Sequence, residues 1–418
     1  MFQPVERQFD LIAFEHQVLK FWEETNAFEK LREKNRGKPK WSFLDGPITA
    51  NNPMGVHHAW GRTLKDCYQR FHAMKGHELR YQNGFDCQGL WVEVEVEKEL
   101  GFATKRDIES HGLETFINAC KERVRKYSAV QTQQSVRLGY WMDWDNSYYT
   151  MADENNYTIW SFLKKCHERG LIYKGMDAMP WCPRCGTGIS EQERREGYKR
   201  VKDTAVFIKL PIRGREREYL LVWTTTPWTL SANVACAVNP EMPYIKARQE
   251  GDTLYLHRDL ESVLKERGPY EVEEHFRGSH LLGLEYDGPF DDLREPARAA
   301  QAHRVIPWKE ITATEGTGIV HIAPGCGRED YQLSKEFDLP VLAPIDDAGI
   351  YVEGYGFLSG KHAGTVADLV IEELRKRDLY YKRETYEHDY PHCWRCSEQL
   401  LFRAVDEFLF ALHHLVRN

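Results

Sequence analysis

The chain has 418 residues, 42% of them hydrophobic, and a formal net charge of −8. That length exceeds what one hydrophobic core ordinarily serves, so two or three cores are expected, and the acidic balance excludes a surface built everywhere for nucleic acid, confining RNA contact to particular faces. No stretch approaches a membrane span, and Met1-Phe2-Gln3-Pro4-Val5-Glu6 lacks the basic-then-apolar order of a secretory signal, so a cytoplasmic protein with no membrane partner is expected.

In chain order, an amphipathic opening helix places Leu11, Phe14, Val18, Phe21 and Trp22 on one side. Trp41-Ser-Phe-Leu-Asp45 reads as a short strand running into the irregular segment Gly46-Pro-Ile-Thr-Ala-Asn-Asn-Pro-Met54. A helix follows from about His58 to Met74, with Leu64, Tyr68, Phe71 and Met74 at helical spacing and Gly76 as its stop. Glu78-Leu-Arg-Tyr-Gln82 reads as the next strand, which completes a βαβ unit. Ligands of such sheets settle outside the carboxyl ends of the strands, where segments 46–58 and 83–93 are expected to lie. Charged helices are expected over about 105–127 and 153–169.

The texture then changes to short β-rich runs, among them Ala205–Leu210, Tyr219–Trp223 and Gly318–Ile322, which define a separate α+β domain over roughly 200–387. Two Cys-x-x-Cys pairs bracket it, Cys182-Pro-Arg-Cys185 and Cys393-Trp-Arg-Cys396. A two-residue spacer lets one tight knuckle offer two sulfurs to one ion, and two knuckles complete a tetrahedral zinc site. The alternatives are thiols packed in a core or a disulfide. The other cysteines, Cys67, Cys87, Cys120, Cys166, Cys236 and Cys326, are scattered as in a reducing compartment. The closing run Leu409–Asn418 has no Gly or Pro punctuation, so its element is expected to be cut short.

Gly55-Val-His-His58 sits where a helix opens after a strand and a Gly/Pro loop. A helix N-terminus offers free amide donors and a positive dipole to polyphosphate, imidazoles add donors, and a glycine lets an adenine or ribose lie against the backbone. The alternative for paired histidines is polar surface or a helix cap. Gly46-Pro47, Gly55-Val-His-His58, Leu64-Lys-Asp66, Gly84-Phe-Asp-Cys-Gln-Gly-Leu90 and Glu97-Lys-Glu-Leu-Gly101 together resemble the N-terminal portion of the isoleucine/valine/leucine group of class I aminoacyl-tRNA synthetases. Leu138-Gly-Tyr-Trp-Met-Asp-Trp-Asp145 and Trp181-Cys-Pro-Arg-Cys-Gly186 resemble the group's connecting segments, and Trp223-Thr-Thr-Thr-Pro-Trp-Thr-Leu230 is similar to the isoleucyl branch, with Thr226 where the other branches carry arginine.

The resemblance implies the first half of a Rossmann-type α/β nucleotide-binding fold with an inserted α+β, barrel-like editing domain and a zinc-binding stalk. The expected divisions are 1–181 for the catalytic half, 182–199 for the zinc knuckle and stalk, 200–387 for the insertion, and 388–418 for the second knuckle and the return. It further implies that Gly55, His57 and His58 bind ATP with Mg2+, and that Gly46, Pro47 and Asp86 bind the amino acid, the carboxylate pairing with its α-ammonium. A helix-capping role is the alternative for Asp86. The usual signature is His-x-Gly-His. Here glycine and histidine have changed places, so an imidazole replaces the flat backbone under the adenine, and inhibitors packed against that glycine are expected to bind poorly. Phe85 and Gln88 likewise replace a usual Trp and His.

Selecting isoleucine over valine by one methylene is limited to about 1–3 kcal/mol, with the isoleucyl enzyme the standard illustration of that limit, so a second, hydrolytic site is expected. The resemblance assigns it Thr224, Thr225, Thr226, Trp228, Asn233, His321 and Asp330. The hydroxyls would position a water and the terminal ribose, Asp330 would hold the α-ammonium of a mischarged valine, and His321 would border a pocket too small for isoleucine. Taken singly, the threonines are also ordinary strand residues, His321 polar packing and Asp330 a helix cap. The expected activity is isoleucine–tRNA ligation with editing, by a monomer that meets tRNA(Ile), ATP and L-isoleucine. A Lys-Met-Ser-Lys-Ser-like loop and an anticodon-binding domain are not found, so an N-terminal fragment is expected. The alternatives are a stand-alone deacylase of mischarged tRNA and a noncatalytic zinc-braced RNA-binding paralogue.

Overall fold

The computed structural model describes residues 10–43 and 45–411, in two compact units, 1–170 and 171–418. The opening residues Met1–Glu6, Leu44 of the expected first strand, and residues 412–418 lie outside the described set.

Unit 1 runs α1 (Leu11–Glu24), α2 (Ala27–Lys34), β1 (Ile48–Thr49), α3 (Val56–Met74), β2 (Gln82–Asp86), α4 (Leu90–Leu100), α5 (Arg106–His111), α6 (Leu113–Arg137), β3 (Asp143–Tyr149) and α7 (Asp153–Glu168). Its three strands form a parallel sheet in the order β1-β2-β3, with Thr49 opposite Asp86 and Phe85 opposite Tyr149. Between Trp41 and Asp45 no strand forms among the described residues; the chain makes one parallel bridge at Lys40–Glu78 and pairs again only at Ile48.

The second strand lies later than expected, over Gln82–Asp86 rather than Glu78–Gln82. Tyr81 takes a left-handed φ of 55°, which interrupts the extended run. Pairing resumes through Asn83-Gly84, a pair that reads as a turn in sequence. Gly84 is needed there because a Cβ would lie 2.1 Å from the ring of Tyr148 on β3. The helix expected over 105–127 is two helices, split at Gly112 with φ 102°, and the second continues to Arg137. The apolar stripe of α3 faces outward: Leu64, Tyr68, Phe71 and Met74 are exposed, whereas Arg62, Gln69 and Ala73 form its buried side. Leu11, Phe14 and Phe21 of α1 are exposed too, and the half-buried Trp22 meets Trp141 edge-on at 5.0 Å.

Unit 2 contains β4 (Ile172–Cys182), β5 (Thr187–Gly188), α8 (Glu191–Glu196), β6 (Tyr198–Pro211), β7 (Glu218–Thr224), β8 (Ala235–Val238), β9 (Pro243–Gln249), β10 (Asp252–His257), α9 (Ser262–Lys265), β11 (Glu271–Arg277), β12 (Val305–Pro307), β13 (Ile319–Ile322), α10 (Arg328–Phe337), α11 (Ala367–Lys376), β14 (Tyr380–Pro391) and β15 (Leu401–Phe410). A six-stranded sheet, β11-β9-β10-β7-β6-β14, and a three-stranded one, β12-β8-β13, enclose an apolar core that includes Ile208, Leu220, Val222, Phe290 and Ile322. A separate cluster around Phe207, Leu221 and Leu256 packs the other face of the large sheet.

Two antiparallel ribbons carry the chain into and out of this core. One is β6 with β14, in register from Tyr198–Pro391 onward; the other is β4 with β15, from Trp181–Leu401 to Ile172–Phe410. Because β4 pairs with β15, the chain divides at residue 170, earlier than the 181/182 boundary expected from sequence.

Candidate functional site

In unit 1, segment 46–58 is held on both sides. Gln131 on α6 donates from Nε2 to Thr49 O at 2.9 Å and Asn52 O at 2.8 Å, and the Met54 N–H donates to Gln134 Oε1 at 2.8 Å. At the start of the segment, buried Asp45 is ion-paired to Lys65 of α3, and the Tyr148 hydroxyl donates to Asp45 O at 3.2 Å. Gly46 is exposed and Pro47 half-buried on the turn this creates. Lys65 thus ties the helix to the loop, a role that its place in Leu64-Lys-Asp66 did not disclose. Arg62, one turn before Asp66, is buried among Tyr140, Trp144 and Asn83.

Gly55 caps α3. Its N–H donates to His58 Nδ1 at 3.0 Å, which leaves the Nε2 side of that imidazole as the donor. Burial, with His57, Arg62 and Lys65 nearby, lowers the His58 pKa and keeps the ring neutral at physiological pH. The two imidazoles lie 3.8 Å apart, and a Cβ on residue 55 would sit 3.0 Å from the His57 ring. The exchange of glycine and histidine is therefore coupled: a glycine at 55 makes the room that His57 occupies. A cavity of about 670 Å3 opens beside Gly55, lined also by Phe14, Trp22, Met54, Ala59 and Gln134, but not by His57, His58 or Asp86. Asp86 ends β2 and receives hydroxyls from both neighbouring segments, Thr49 Oγ1 at 3.0 Å and Thr150 Oγ1 at 3.4 Å. These partners orient the carboxylate at the carboxyl end of the sheet; it caps no helix.

In unit 2, two segments far apart in sequence meet. Gly316 and Gly318 both have positive φ, 71° and 72°; a Cβ on the first would lie 2.8 Å from the Trp223 ring, and one on the second 2.4 Å from His257. This close approach brings Thr224–Thr226 beside β13. A row of hydroxyls follows: Thr224 Oγ1 to Thr226 Oγ1 at 3.2 Å, Thr226 Oγ1 to Thr229 Oγ1 at 3.2 Å, and Thr229 Oγ1 to His321 Nε2 at 3.0 Å. Thr229 was missed in the sequence, although its spacing, one short helical turn past Thr226, is the available signal. Burial pushes the His321 pKa down to about 4, so the ring is neutral, and its buried Nδ1 has no hydrogen-bond partner among the described residues.

Thr225, Thr226 and Trp228 line a cavity of about 220 Å3, together with Asp203, His362 and Gln399. Asp330, in the first turn of α10, is not among the residues that line this cavity. Its carboxylate receives the Ala323 N–H at 2.8 Å, and burial raises its pKa to about 6 despite that bond. Asn233 departs from expectation: it is buried, with Oδ1 taken by the Tyr286 hydroxyl at 2.7 Å and its amide donated to Ala235 O at 3.2 Å, which fixes the turn into β8.

The sulfurs of Cys182, Cys185, Cys393 and Cys396 lie within 4.8 Å of one another, a cluster able to hold a metal ion. It sits where the two ribbons end, since β4 runs into Cys182, β6 starts after the first knuckle, β14 stops before Cys393 and β15 leaves after Cys396. No helix among the described residues is long and apolar enough to cross a membrane.

A sheet with its loop and helix N-terminus at 46–58, joined in one chain to a β-rich module, is the arrangement expected of the class I synthetases. The family described as tRNA synthetases class I (I, L, M and V) matches residues 17–412, and the chain belongs to it. Within that class it is similar to isoleucine–tRNA ligase 2 of Bacillus anthracis, 41% identical over 95% of this chain and 38% of the relative. It is also 41% identical to isoleucine–tRNA ligase of Pyrococcus horikoshii, over 97% of this chain and 39% of the relative. The chain thus spans about two-fifths of the length of these curated relatives. A solved structure described as that of GlLeuRS-CP1 aligns with 43% of this chain and 99% of its own at 15% identity and a TM-score of 0.35, a likeness too low to carry an argument.

Proposed function

We propose that this chain is the portion of an isoleucine–tRNA ligase that begins the nucleotide fold and carries the hydrolytic editing module. The activation reaction joins isoleucine to ATP: the amino acid's carboxylate attacks the α-phosphate, pyrophosphate leaves, and the acyl group then passes from AMP to the terminal ribose of tRNA(Ile). The His58 Nε2–H and the positive N-terminal end of α3 suit phosphate oxygens, and Asp86, held by Thr49 and Thr150, suits the α-ammonium. Mg2+ arriving with ATP supplies charge neutralisation on the phosphates. The protein works as a monomer in the cytoplasm, a setting supported by ten cysteines, none of them in a disulfide.

The hydrolytic reading is carried by one observation, the hydroxyl row Thr224–Thr226–Thr229 that ends on a neutral, buried His321. Water attacks the ester carbonyl of a mischarged valyl-tRNA(Ile) and releases valine and free tRNA. The threonines orient the water and the ribose, and Asp330 pairs with the α-ammonium. For the cysteine cluster, four thiolates are a zinc donor set. A Zn–S bond of about 2.3 Å places tetrahedral sulfurs about 3.8 Å apart, and Cys182 Sγ and Cys396 Sγ already lie 3.5 Å apart.

The deciding experiment is deacylation of valyl- and isoleucyl-tRNA(Ile) by the 418-residue chain beside Asp330→Ala and Thr225→Ala. Rapid loss of valine that spares isoleucine and needs Asp330 supports the reading, and a folded, metal-loaded chain inert towards both sinks the hydrolytic part. Isoleucine-dependent pyrophosphate exchange by a polypeptide extended to the length of its relatives tests the ligase part in the same way.

A further inference from the structure

The cavity that holds Thr225, Thr226 and Trp228 has two walls not used by the chemistry above: the turn His362–Thr365, and Glu398 with Gln399. Each leads back to a cysteine knuckle. Glu398 and Gln399 close the hairpin over the second knuckle, where the Cys393 N–H donates to Glu398 O at 2.7 Å, the Ser397 N–H donates to Cys393 O at 2.7 Å, and Gln399 pairs with His392 in an antiparallel bridge. Ser397 takes a φ of 66°, a left-handed conformation that a serine holds only when its surroundings enforce it. Gln399 Nε2 then lies 3.4 Å from Asp203 Oδ2, which His388 Nε2 also reaches at 3.0 Å, and Asp203 is itself part of the cavity lining.

The other wall is braced by the first knuckle. The Ala363 N–H donates to Gly349 O at 2.9 Å, and Ile350 pairs with His362. Gly349, at φ 73°, is hemmed in on three sides: a Cβ there would lie 2.8 Å from Leu401, 2.9 Å from His362 Nε2 and 3.2 Å from Pro183, the residue after Cys182. The Trp181 Nε1–H donates to Asp347 O at 2.7 Å in the same turn. One knuckle thus abuts the His362 wall and the other forms the Gln399 wall, and the four sulfurs are the point at which the two are joined.

We propose that the four-cysteine centre is a clamp that sets the spacing of these two walls, so that metal binding positions Glu398, Gln399 and the His362–Thr365 turn around the pocket of Thr225 and Thr226. The inference rests on the hydrolytic reading for what the pocket does; the coupling of metal to pocket stands on the contacts alone. Glu398, Gln399 and His362 are positioning residues in this scheme. Both walls are short turns with little apolar surface of their own, the class of segment that opens locally at low free energy when a tether is lost.

The test is amide hydrogen exchange on the 418-residue chain loaded with zinc, stripped by a chelator under reducing conditions, and reloaded. Stripping is expected to speed exchange about tenfold or more in peptides covering 225–229 and 362–367, which contain no ligand, with recovery on reloading and no change in the sheet at 245–256. Faster exchange confined to 182–190 and 391–400 overturns the proposal. If stripping exposes the whole unit, Gln399→Ala with its zinc retained decides: it is expected to speed exchange at 225–229 and to raise KM for valyl-tRNA(Ile) more than it lowers kcat, and unchanged exchange there overturns the clamp. A chain whose walls loosen on stripping but which hydrolyses no mischarged tRNA in either state keeps the clamp and loses the hydrolytic reading.

Discussion

Unit 1 fixes a loop with polar contacts and leaves an apolar helix stripe in water, while unit 2 is organised around a large apolar cluster. In the first, Arg62, Gln69, Asn83, Glu97, Gln131 and Ser135 are buried, while Val56, Trp60, Tyr68 and Met74 on α3 stand 88%, 68%, 63% and 80% exposed. In the second, one continuous apolar cluster runs from Val206 to Leu401. Polar side chains of unit 1 fix a loop: Gln131, Gln134 and Lys65 all tie down segment 46–58 or its flanks. A polar network fixes geometry well and contributes little net stability, whereas apolar burial contributes stability directly. Unit 2 is therefore built to stand alone. The α3 stripe of unit 1 is an exposed apolar patch.

This contrast is most easily broken in the core of unit 2. Phe290→Ala is expected to cost that unit about 3–5 kcal/mol in denaturant unfolding, and a loss no larger than that of an α3 surface variant would end the comparison. Cys185→Ser comes next: it should abolish stoichiometric zinc binding and cost unit 2 on the order of 3 kcal/mol, read from metal content and from a fall in its thermal transition, with the transition of unit 1 unmoved.

Asp330 sharpens the contrast because its carboxyl carries a raised pKa inside unit 2. Its folded pKa of about 6 lies above the ordinary carboxylate value, so the folded state binds the proton more tightly than the unfolded one, and stability is lost as pH rises from about 4 to about 6. Asp330→Asn should accordingly stabilise the unit by on the order of 2 kcal/mol at neutral pH, with the gain vanishing near pH 4, while deacylation is lost. A gain that does not change with pH would show that the carboxylate is not strained by burial. Acidification acts oppositely on His321, whose lowered pKa means that stability is lost as pH falls below its ordinary range, so the Asp330→Asn difference must be read against wild type at each pH.

Thr229→Val, which leaves His321 Nε2 without its partner, should cost about 1 kcal/mol and slow deacylation. The smallest effect belongs to unit 1: Tyr68→Gln with Leu64→Gln should shift stability by no more than about 0.5 kcal/mol yet reduce binding of an apolar dye, and a large destabilisation would mean that the stripe is packed after all.

The sequence showed most where chemistry demands particular residues at a fixed spacing. The two cysteine knuckles, the helix opening at 55–58 and the paired segments 224–226 and 316–321 are all local patterns, and the structure brings the knuckles together and the two segments side by side. It showed least where the outcome depends on a distant neighbour. The strand through Asn83-Gly84 cannot be read locally, because only the ring of Tyr148 on the next strand explains the glycine. Asn233 looks like a pocket residue until Tyr286 claims its side chain. The direction of the α3 stripe is hidden for the same reason: helical spacing reports that one face is apolar, not that anything lies against it.

The convergence of the two ribbons on the cysteines bears on how such a chain can be assembled at all. Joining residues more than two hundred positions apart ordinarily means a long closure, paid in chain entropy and in slow, distant pairings. Here β4 and β15 run side by side, in register from Ile172–Phe410 to Trp181–Leu401, so the two ends of the intervening segment are held next to each other. Once that ribbon is zipped, everything between its strands folds as one closed loop, and its slow pairings need wait for nothing outside it.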